Sequence, residues 1–492
     1  MRDQLFHLKP GSGANLQTQV REMMVRAILD GHIPPGRAVP SCRQLAGQLG
    51  VARNTVVVAY QRLVDEGYLS ARERSGYYVS NDIAQGRAEV FDADSETADS
   101  RGIFAPHWSE RLHARPSQQR NIQKPDDWQR HPYPFLCGQL DLALFPIVEW
   151  RECTREALTA QSLRRWAYDS FDSDDPDLIE QLRTRVLPRR GVWARSDEIL
   201  VTLGAQHALY LTARLLMNAK TVVGVEEPGY TDARNIFASH SRHIRGLPID
   251  ECGLIPGEAV NACDYVFVTP SHQHPTTVTL NKPRRQRLLT NAVDCDYVII
   301  EDDYESETNY VGKPTPALKS SDHNDRVIYI GSLSKTIAPG FRLGYMVAPA
   351  ELIREARALR RLMLRHSPAN NERAVALFLA RGHHDSLVRR LSHAYKERWQ
   401  AMGDALAKHF PESSRTPAFG GTAYWVCGPR SLDTCALKVR AQKQGILIEP
   451  GDIFFQQNDP PKHYFRLGFS SIPVERIEPG IAKLAELAHS MS

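Results

Sequence analysis

The sequence predicts a multidomain protein, a small α+β unit at the N-terminus followed by a large α/β domain. Three observations carry this expectation. The chain has 492 residues, more than one ordinary domain, and 42% of them are hydrophobic, enough for a large core. Beyond Tyr133, β-branched and aromatic runs alternate with helical patterns, as in a doubly wound sheet. The first 80 residues read instead as three short helices and a hairpin.

Within that first unit, Leu16, Val20, Met23, Met24, Ala27 and Ile28 fall at helical spacing, and Gly31 with Pro34-Pro35 ends the run. Ser41 caps a second helix, CRQLAGQL, stopped by Gly50. A third helix starts near Asn54 or Thr55 and closes at Gly67, with Val56, Val57, Tyr60 and Leu63 as core. YLSARERSGYYVS, with Gly76 in its charged tip, reads as a hairpin, so the unit is a winged helix-turn-helix. Residues 1–80 hold ten Lys/Arg against six Asp/Glu, a surplus equal to the formal +4 of the whole chain. That asymmetry is a mild pointer to nucleic acid.

Residues 81–130 show no sustained apolar period and read as a flexible, solvated linker. Six acidic residues (Asp82, Glu89, Asp92, Asp94, Glu96, Asp99) face only Arg87 in its first part. The Pro-, Arg- and Gln-rich part that follows is expected to wrap loosely on the large domain. The expected division is therefore 10–80, 81–130 and 131–492.

In the large domain, DPDLIEQLRTRVLPRRGV reads as an amphipathic helix. EILVTLGAQHALYLTARLLM gives strand, glycine turn and long helix, and Gly204, Ala205 and Gln206 at the helix start offer an anion cradle or a plain turn. TVVGVEEPGY and DYVFVTPSHQHPTT supply further strands. Val298 to Ile300 and Val327 to Ile330 read as buried strands of a parallel sheet. At the carboxyl ends of these last strands, where open α/β sheets place ligands, stand Asp302, Tyr304, Ser332, Ser334, Lys335 and Arg342. These groups suit pyridoxal 5'-phosphate. A lysine amine condenses with its aldehyde, a carboxylate holds its pyridine nitrogen protonated, and hydroxyls with an arginine hold its phosphate.

No run of 18 apolar residues and no signal-like N-terminal stretch occurs, so a cytoplasmic protein without membrane contact is expected. Eight cysteines without a C-x-x-C pair argue against a disulfide framework and a metal site.

PSCRQLAGQLGVARNTVVVAYQRLVDEGYLSARERSGYYV resembles the GntR-type winged helix throughout its length. The resemblance implies DNA contacts from Arg43, from Arg53, Asn54 and Thr55 on the recognition helix, and from Arg74 to Gly76 at the wing. The large domain resembles fold-type I aminotransferases. Together the two resemble the MocR branch of the GntR regulators, over residues 10–80 and 133–490. That resemblance makes Lys335 the internal aldimine lysine, Asp302 the partner of the pyridine nitrogen, Tyr304 the donor to the ring oxygen, and Tyr230 the ring-face neighbour. Ser332, Ser334, Arg342 and the turn Gly204, Ala205, Gln206 would hold the phosphate. Arg466 in FRLGF matches the arginine that grips a substrate α-carboxylate in aminotransferases. SHQHPTT departs from the branch, which usually shows an aromatic before the proline and a glycine after Pro-Thr. His274, a donor to the ring oxygen or an effector contact, and Thr277 therefore mark an altered pocket wall. GGTAYWV near Gly420 also departs.

The resemblance implies a homodimer, exchanged head-to-tail in the MocR branch, that binds operator DNA and senses a small amino compound by external aldimine formation. Two alternatives stay open: an active aminotransferase with a regulatory DNA-binding head, and a PLP fold kept as scaffold only.

Overall fold

The computed structural model describes residues 15–72, 75–81, 106–309, 314–411, 413–415 and 420–491. The chain divides into two compact units, Met1–Ala114 and Arg115–Ser492. Residues 115–130, read as linker, thus belong to the second unit.

In the first unit, α1 (Leu16–Leu29) starts where the Asn15 side chain accepts from the Thr18 amide at 2.8 Å. Helix α2 (Cys42–Leu49) is capped by Ser41, whose hydroxyl accepts from the Gln44 amide at 3.2 Å, and is closed by Gly50 in the left-handed region. Helix α3 (Arg53–Asp65) leads into an antiparallel hairpin of β1 (Leu69–Arg72) and β2 (Gly76–Val79). Val20, Met24, Leu45, Val56, Tyr60, Leu63, Leu69 and Val79 form one core. Val57, expected in it, is only half-buried.

The second unit is built on a sheet of eight strands among the described residues. They are β3 (Ile199–Thr202), β4 (Val222–Glu227), β5 (His243–Asp250), β6 (Gly253–Leu254), β7 (Tyr265–Val268), β8 (Val298–Asp303), β9 (Val327–Ser332) and β10 (Gly344–Val347). Their order is β3-β10-β9-β8-β7-β4-β5-β6. The central run from β9 to β5 is parallel, as expected. The sheet as a whole is mixed, because β10 runs antiparallel to both β9 and β3, and β6 returns against β5. Only 11 residues separate β9 from β10, too few for the helical crossover that a parallel pair requires. Ile300 and Ile330 pack into one apolar cluster and Ile299 and Val327 into another, so the central strands are covered on both faces.

The expected amphipathic helix after Asp175 changes pitch. It runs as α-helix over Pro176–Gln181, widens to π geometry over Leu182–Val186, and tightens to 3-10 over Leu187–Arg190. Pro188 supplies no amide for a regular helical bond, which accounts for the break. The altered end aims Arg190 inward, where its Nε lies 2.8 Å from Asp303 Oδ2. A smaller sheet contains β11 (Ala423–Cys427) and β12 (Tyr464–Gly468), paired antiparallel.

A second buried ion group ties β3 to the helix Ala350–Leu364. Arg360 is fully buried; it donates to Asp174 Oδ1 at 2.5 Å and to the Val201 carbonyl at 2.7 Å. Asp174 Oδ2 accepts from Arg357 at 2.8 Å and from the Val201 amide at 3.2 Å. Asp174→Ala leaves a guanidinium uncompensated in the interior and should cost about 3–5 kcal/mol. Urea unfolding of the full chain checks this, and a loss under about 1 kcal/mol would show that water reaches Arg360.

Candidate functional site

Strand β8 delivers two consecutive aspartates to opposite faces, because side chains alternate along a strand. Asp303 is saturated: it accepts from Arg190 and, at 2.8 Å, from the Tyr329 hydroxyl, while Arg190 also donates to Ser271 at 2.9 Å. Burial opposes its ionisation, but the Arg190 charge prevails and holds Asp303 below the usual carboxylate value. Asp302 is 2% exposed, and its Oδ1 has no partner. Burial first, then the charge of Asp303, pushes its carboxyl up to about 7, against the opposing pull of Lys335.

Asp302 faces a cavity of about 300 Å³. The cavity gathers every residue that the sequence reading assigned to the cofactor: Gly204, Ala205, Gln206, Tyr230, Tyr304, Ser332, Ser334, Lys335 and Arg342, with Arg466 and His274. Lys335 stands in the turn after β9 and reaches into this cavity, its amine packed against Gly138. Desolvation lowers its amine below the ordinary lysine value, with Glu305 opposing. Gly138 makes room for it: a Cβ there would lie 2.5 Å from Lys335 Nζ. Gly204 does the same for Arg342, since its Cβ would come within 3.0 Å of Nη2. Arg342 Nη2 donates to the Leu203 carbonyl at 3.2 Å. The helix Ala205–Leu216 begins at Gly204 with no side-chain cap, and its N-terminus lines the cavity. Gln206 and Tyr230 both donate to Asp232 Oδ2, at 2.5 and 3.1 Å. The Tyr304 hydroxyl is buried and unpartnered.

His274 is packed edge-on between Tyr230, Tyr304 and Phe454, with ring centroids 5.0, 5.7 and 5.3 Å away. Its Nε2 lies 2.9 Å from Arg466 Nη1. A guanidinium only donates, so Nε2 accepts and the proton sits on Nδ1, which has no partner. Burial, then Arg466, Lys335 and Lys124, keep His274 neutral, well below its usual pKa. Arg466 comes from β12 and is 3% exposed. Thr277, expected in the same wall, is not among the residues lining the cavity; it is fully buried behind it with φ 64°, a left-handed conformation costly for a β-branched residue.

Sequence reasoning missed Lys124, Cys137, Gly138, Asp232, Glu305 and Glu449, which share the cavity. The Cys137 amide donates to Glu449 Oε1 at 3.2 Å, and Glu305 accepts from the Thr422 hydroxyl at 2.5 Å. Among the described residues, no His/Cys/Asp/Glu group is arranged to hold a metal ion. No described helix is long and apolar enough to cross a membrane.

On the first unit, Arg43, Arg53 and Asn54 are exposed, Thr55 is half-buried, and Gly76 is exposed in the hairpin at φ 102°. Arg53 is the first residue of α3. Arg74 lies outside the described residues.

A winged helix joined to an aminotransferase-type α/β domain defines the class of protein. Two family models match: "Bacterial regulatory proteins, gntR family" over residues 16–79, and "Aminotransferase class I and II" over residues 145–484. The chain is 39% identical to the HTH-type transcriptional regulator TauR of Rhodobacter capsulatus, over 98% of each. It is 30% identical to the probable rhizopine catabolism regulatory protein MocR of Rhizobium meliloti, over 95% of this chain and 93% of that one. Among solved structures, LysN, an α-aminoadipate aminotransferase of Thermus thermophilus complexed with N-(5'-phosphopyridoxyl)-L-leucine, matches with a TM-score of 0.70 and 26% identity, covering 78% of this chain and 99% of that one. The chain belongs to the MocR-type GntR regulators, DNA-binding transcriptional regulators with an aminotransferase-like domain.

The folded Asp302 carboxyl titrates at about 7, against about 3.9 when unfolded. A raised carboxyl destabilises the fold as it ionises, so the cost grows from about pH 4 and is complete above pH 7. In coenzyme-free protein, Asp302→Asn should therefore stabilise by about 2 kcal/mol more at pH 8 than at pH 5.5. Denaturant midpoints at the two pH values measure it, and equal effects would refute the unpartnered state of this carboxyl.

Proposed function

We propose that the protein is a transcriptional regulator that binds pyridoxal 5'-phosphate in this cavity and senses a small amino compound there. The observation that carries the reading is Asp302, a buried carboxylate with an unpartnered oxygen, across the cavity from an amine of lowered basicity. An isolated buried carboxylate is costly unless a cation meets it, and a protonated pyridine nitrogen is such a cation. When bound, the coenzyme supplies an aldehyde that condenses with amines and a ring that draws electrons.

The residues present fit that group. Asp302 would hold the pyridine nitrogen, and the free hydroxyl of Tyr304 with the Nδ1–H of His274 would serve the ring oxygen. Tyr230 would flank the ring. Ser332, Ser334, Arg342 and the amides of Gly204, Ala205 and Gln206 would take the phosphate. Lys335 would carry the reactive amine, and Arg466 would bind an acid group on the effector. Arg43, Arg53, Asn54, Thr55 and the hairpin around Gly76 would meet operator DNA. A homodimer exchanged head-to-tail would present two such heads to paired half-sites. Coupling between effector and operator needs differential affinity commonly worth about 1–3 kcal/mol.

One observation favours the second reading, an active aminotransferase with a regulatory head: Lys335, Asp302 and Arg466 all line one cavity. Keto-acid turnover on the order of 1 s⁻¹ or faster would support the enzyme, and an operator shift without turnover would support the regulator.

Borohydride reduction of the loaded wild-type protein should fix the coenzyme on the peptide containing Lys335, and Lys335→Ala should lose that label while staying folded. Labelling at another lysine would sink the assignment. Arg53→Ala should leave coenzyme loading intact, weaken operator binding, and reduce its log–log salt slope by about 0.9 through one lost phosphate contact. Unaltered affinity would remove α3 from the DNA interface.

A further inference from the structure

Lys335 borders two spaces. Beside the large cavity lies a second one of about 10 Å³, near the least that a single water-sized group needs. Gly138, Glu305, Lys335 and Pro339 line both. The Lys335 amine sits over Gly138, where an added Cβ would meet Nζ at 2.5 Å, so it stands where the two spaces meet.

The walls of the small space are built to accept. The hydroxyls of Thr308, Thr422 and Ser470 donate to the Glu305 carbonyl at 2.9 Å, to Glu305 Oε1 at 2.5 Å and to the Gln139 carbonyl at 2.8 Å. Their protons are thus spent, and only oxygen lone pairs are left. Glu305 is 4% exposed, also accepts from the Thr422 amide at 3.1 Å, and is in no ion pair among the described residues. The other carboxylates of the large cavity are engaged. Gln206 and Tyr230 hold Asp232, Lys124 and Arg466 flank Glu449, and under the proposed function the pyridine nitrogen takes Asp302. An ammonium, with three donors and no acceptor, is the complement of the small space.

We propose that this space is a holding site for the free ammonium of Lys335, with Glu305 as its counter-ion. The inference deepens the proposed function, since it rests on Lys335 carrying the coenzyme. When an alkylammonium ion replaces Lys335 on the protonated imine, a C=N bond to the newcomer forms and the one to Nζ breaks. Two protons pass from the incoming nitrogen to Nζ, which is released as an ammonium. A buried ammonium needs a carboxylate. Glu305 supplies one in place, and the flexible stem of Lys335 has only to turn from one space to the other. Glu305 is thus a positioning residue that sets how readily Lys335 yields to any amine, whatever else that amine carries. Burial lowers the Lys335 amine first, and Glu305 leads the charges that oppose this, against Lys124 and Arg466.

Glu305→Gln tests this, because an amide can accept from the Thr422 amide, donate to its hydroxyl and lose only the charge. In coenzyme-free full-length protein, competitive acetylation across pH reads the Lys335 titration, which Glu305→Gln should lower by about one pH unit or more. In loaded protein, borohydride trapping after equilibration with propylamine or 3-aminopropanoate divides the coenzyme between Lys335 and the added amine. Below the Lys335 titration, Glu305→Gln should need about tenfold more amine for half displacement, by the same factor for both amines. Glu305→Asp, with the charge drawn back by one methylene, should fall between wild type and Glu305→Gln, and it carries the comparison if the amide variant does not fold. An unshifted Lys335 titration, or a change confined to one amine, would overturn the holding site. A wild-type protein that takes up no coenzyme would defeat the proposed function, and the holding site would then stand or fall on the Lys335 titration.

Discussion

The contact on which the site depends is the buried pair of Arg190 and Asp303, beneath the end of β8. Without it, two adjacent carboxyls would be crowded into one low-dielectric region, and ionising both would be prohibitive. Arg190 absorbs the charge of one and leaves the other to the cavity. The strand then does the sorting, since neighbouring side chains leave it on opposite faces. The irregular helix Pro176–Gln181 and its π and 3-10 continuation exist in a form that lets Arg190 reach inward from Gly191's turn.

The cavity is best understood as a set of incomplete pairings collected at the carboxyl edge of the sheet. Asp302 lacks a cation, Tyr304 and His274 each lack an acceptor, and Arg466 has capacity left over. Each deficit alone would count against stability. Their convergence in one space is what distinguishes a binding site from accidental frustration, because one compound can meet several of them at once. The neutral state of His274 belongs to the same pattern: Arg466 uses its Nε2 lone pair and so fixes which nitrogen can donate.

Much of this was legible in the sequence, for identifiable reasons. Asp302, Tyr304, Ser332, Ser334 and Lys335 follow directly from strand ends, where a short apolar run and an abrupt polar turn mark the place. The three helices and hairpin of the first unit were legible from caps and spacing. Lys124, Glu449 and Cys137 were not, because their meeting joins positions more than 300 residues apart and no local period announces it. The direction of β10 was also hidden: a run such as Gly344–Val347 looks the same whichever way it pairs, and only the short connection excludes a crossover. The pitch change before Arg190 was foreshadowed by Pro188, which pattern alone absorbed into one helix.

Thr277 carries a consequence for how the interior behind the cavity can change. A β-branched residue at a positive φ persists only where its surroundings over-determine it, and here its methyl sits 3.2 Å from where a Cβ on Gly421 would stand. Gly421 itself lies at φ 82°. The two positions, 144 residues apart in a 492-residue chain, therefore share one small volume and cannot both gain bulk. Bulk added on one side must therefore find its room on the other, so the order of two such substitutions is constrained: room is vacated on one side before it is taken on the other.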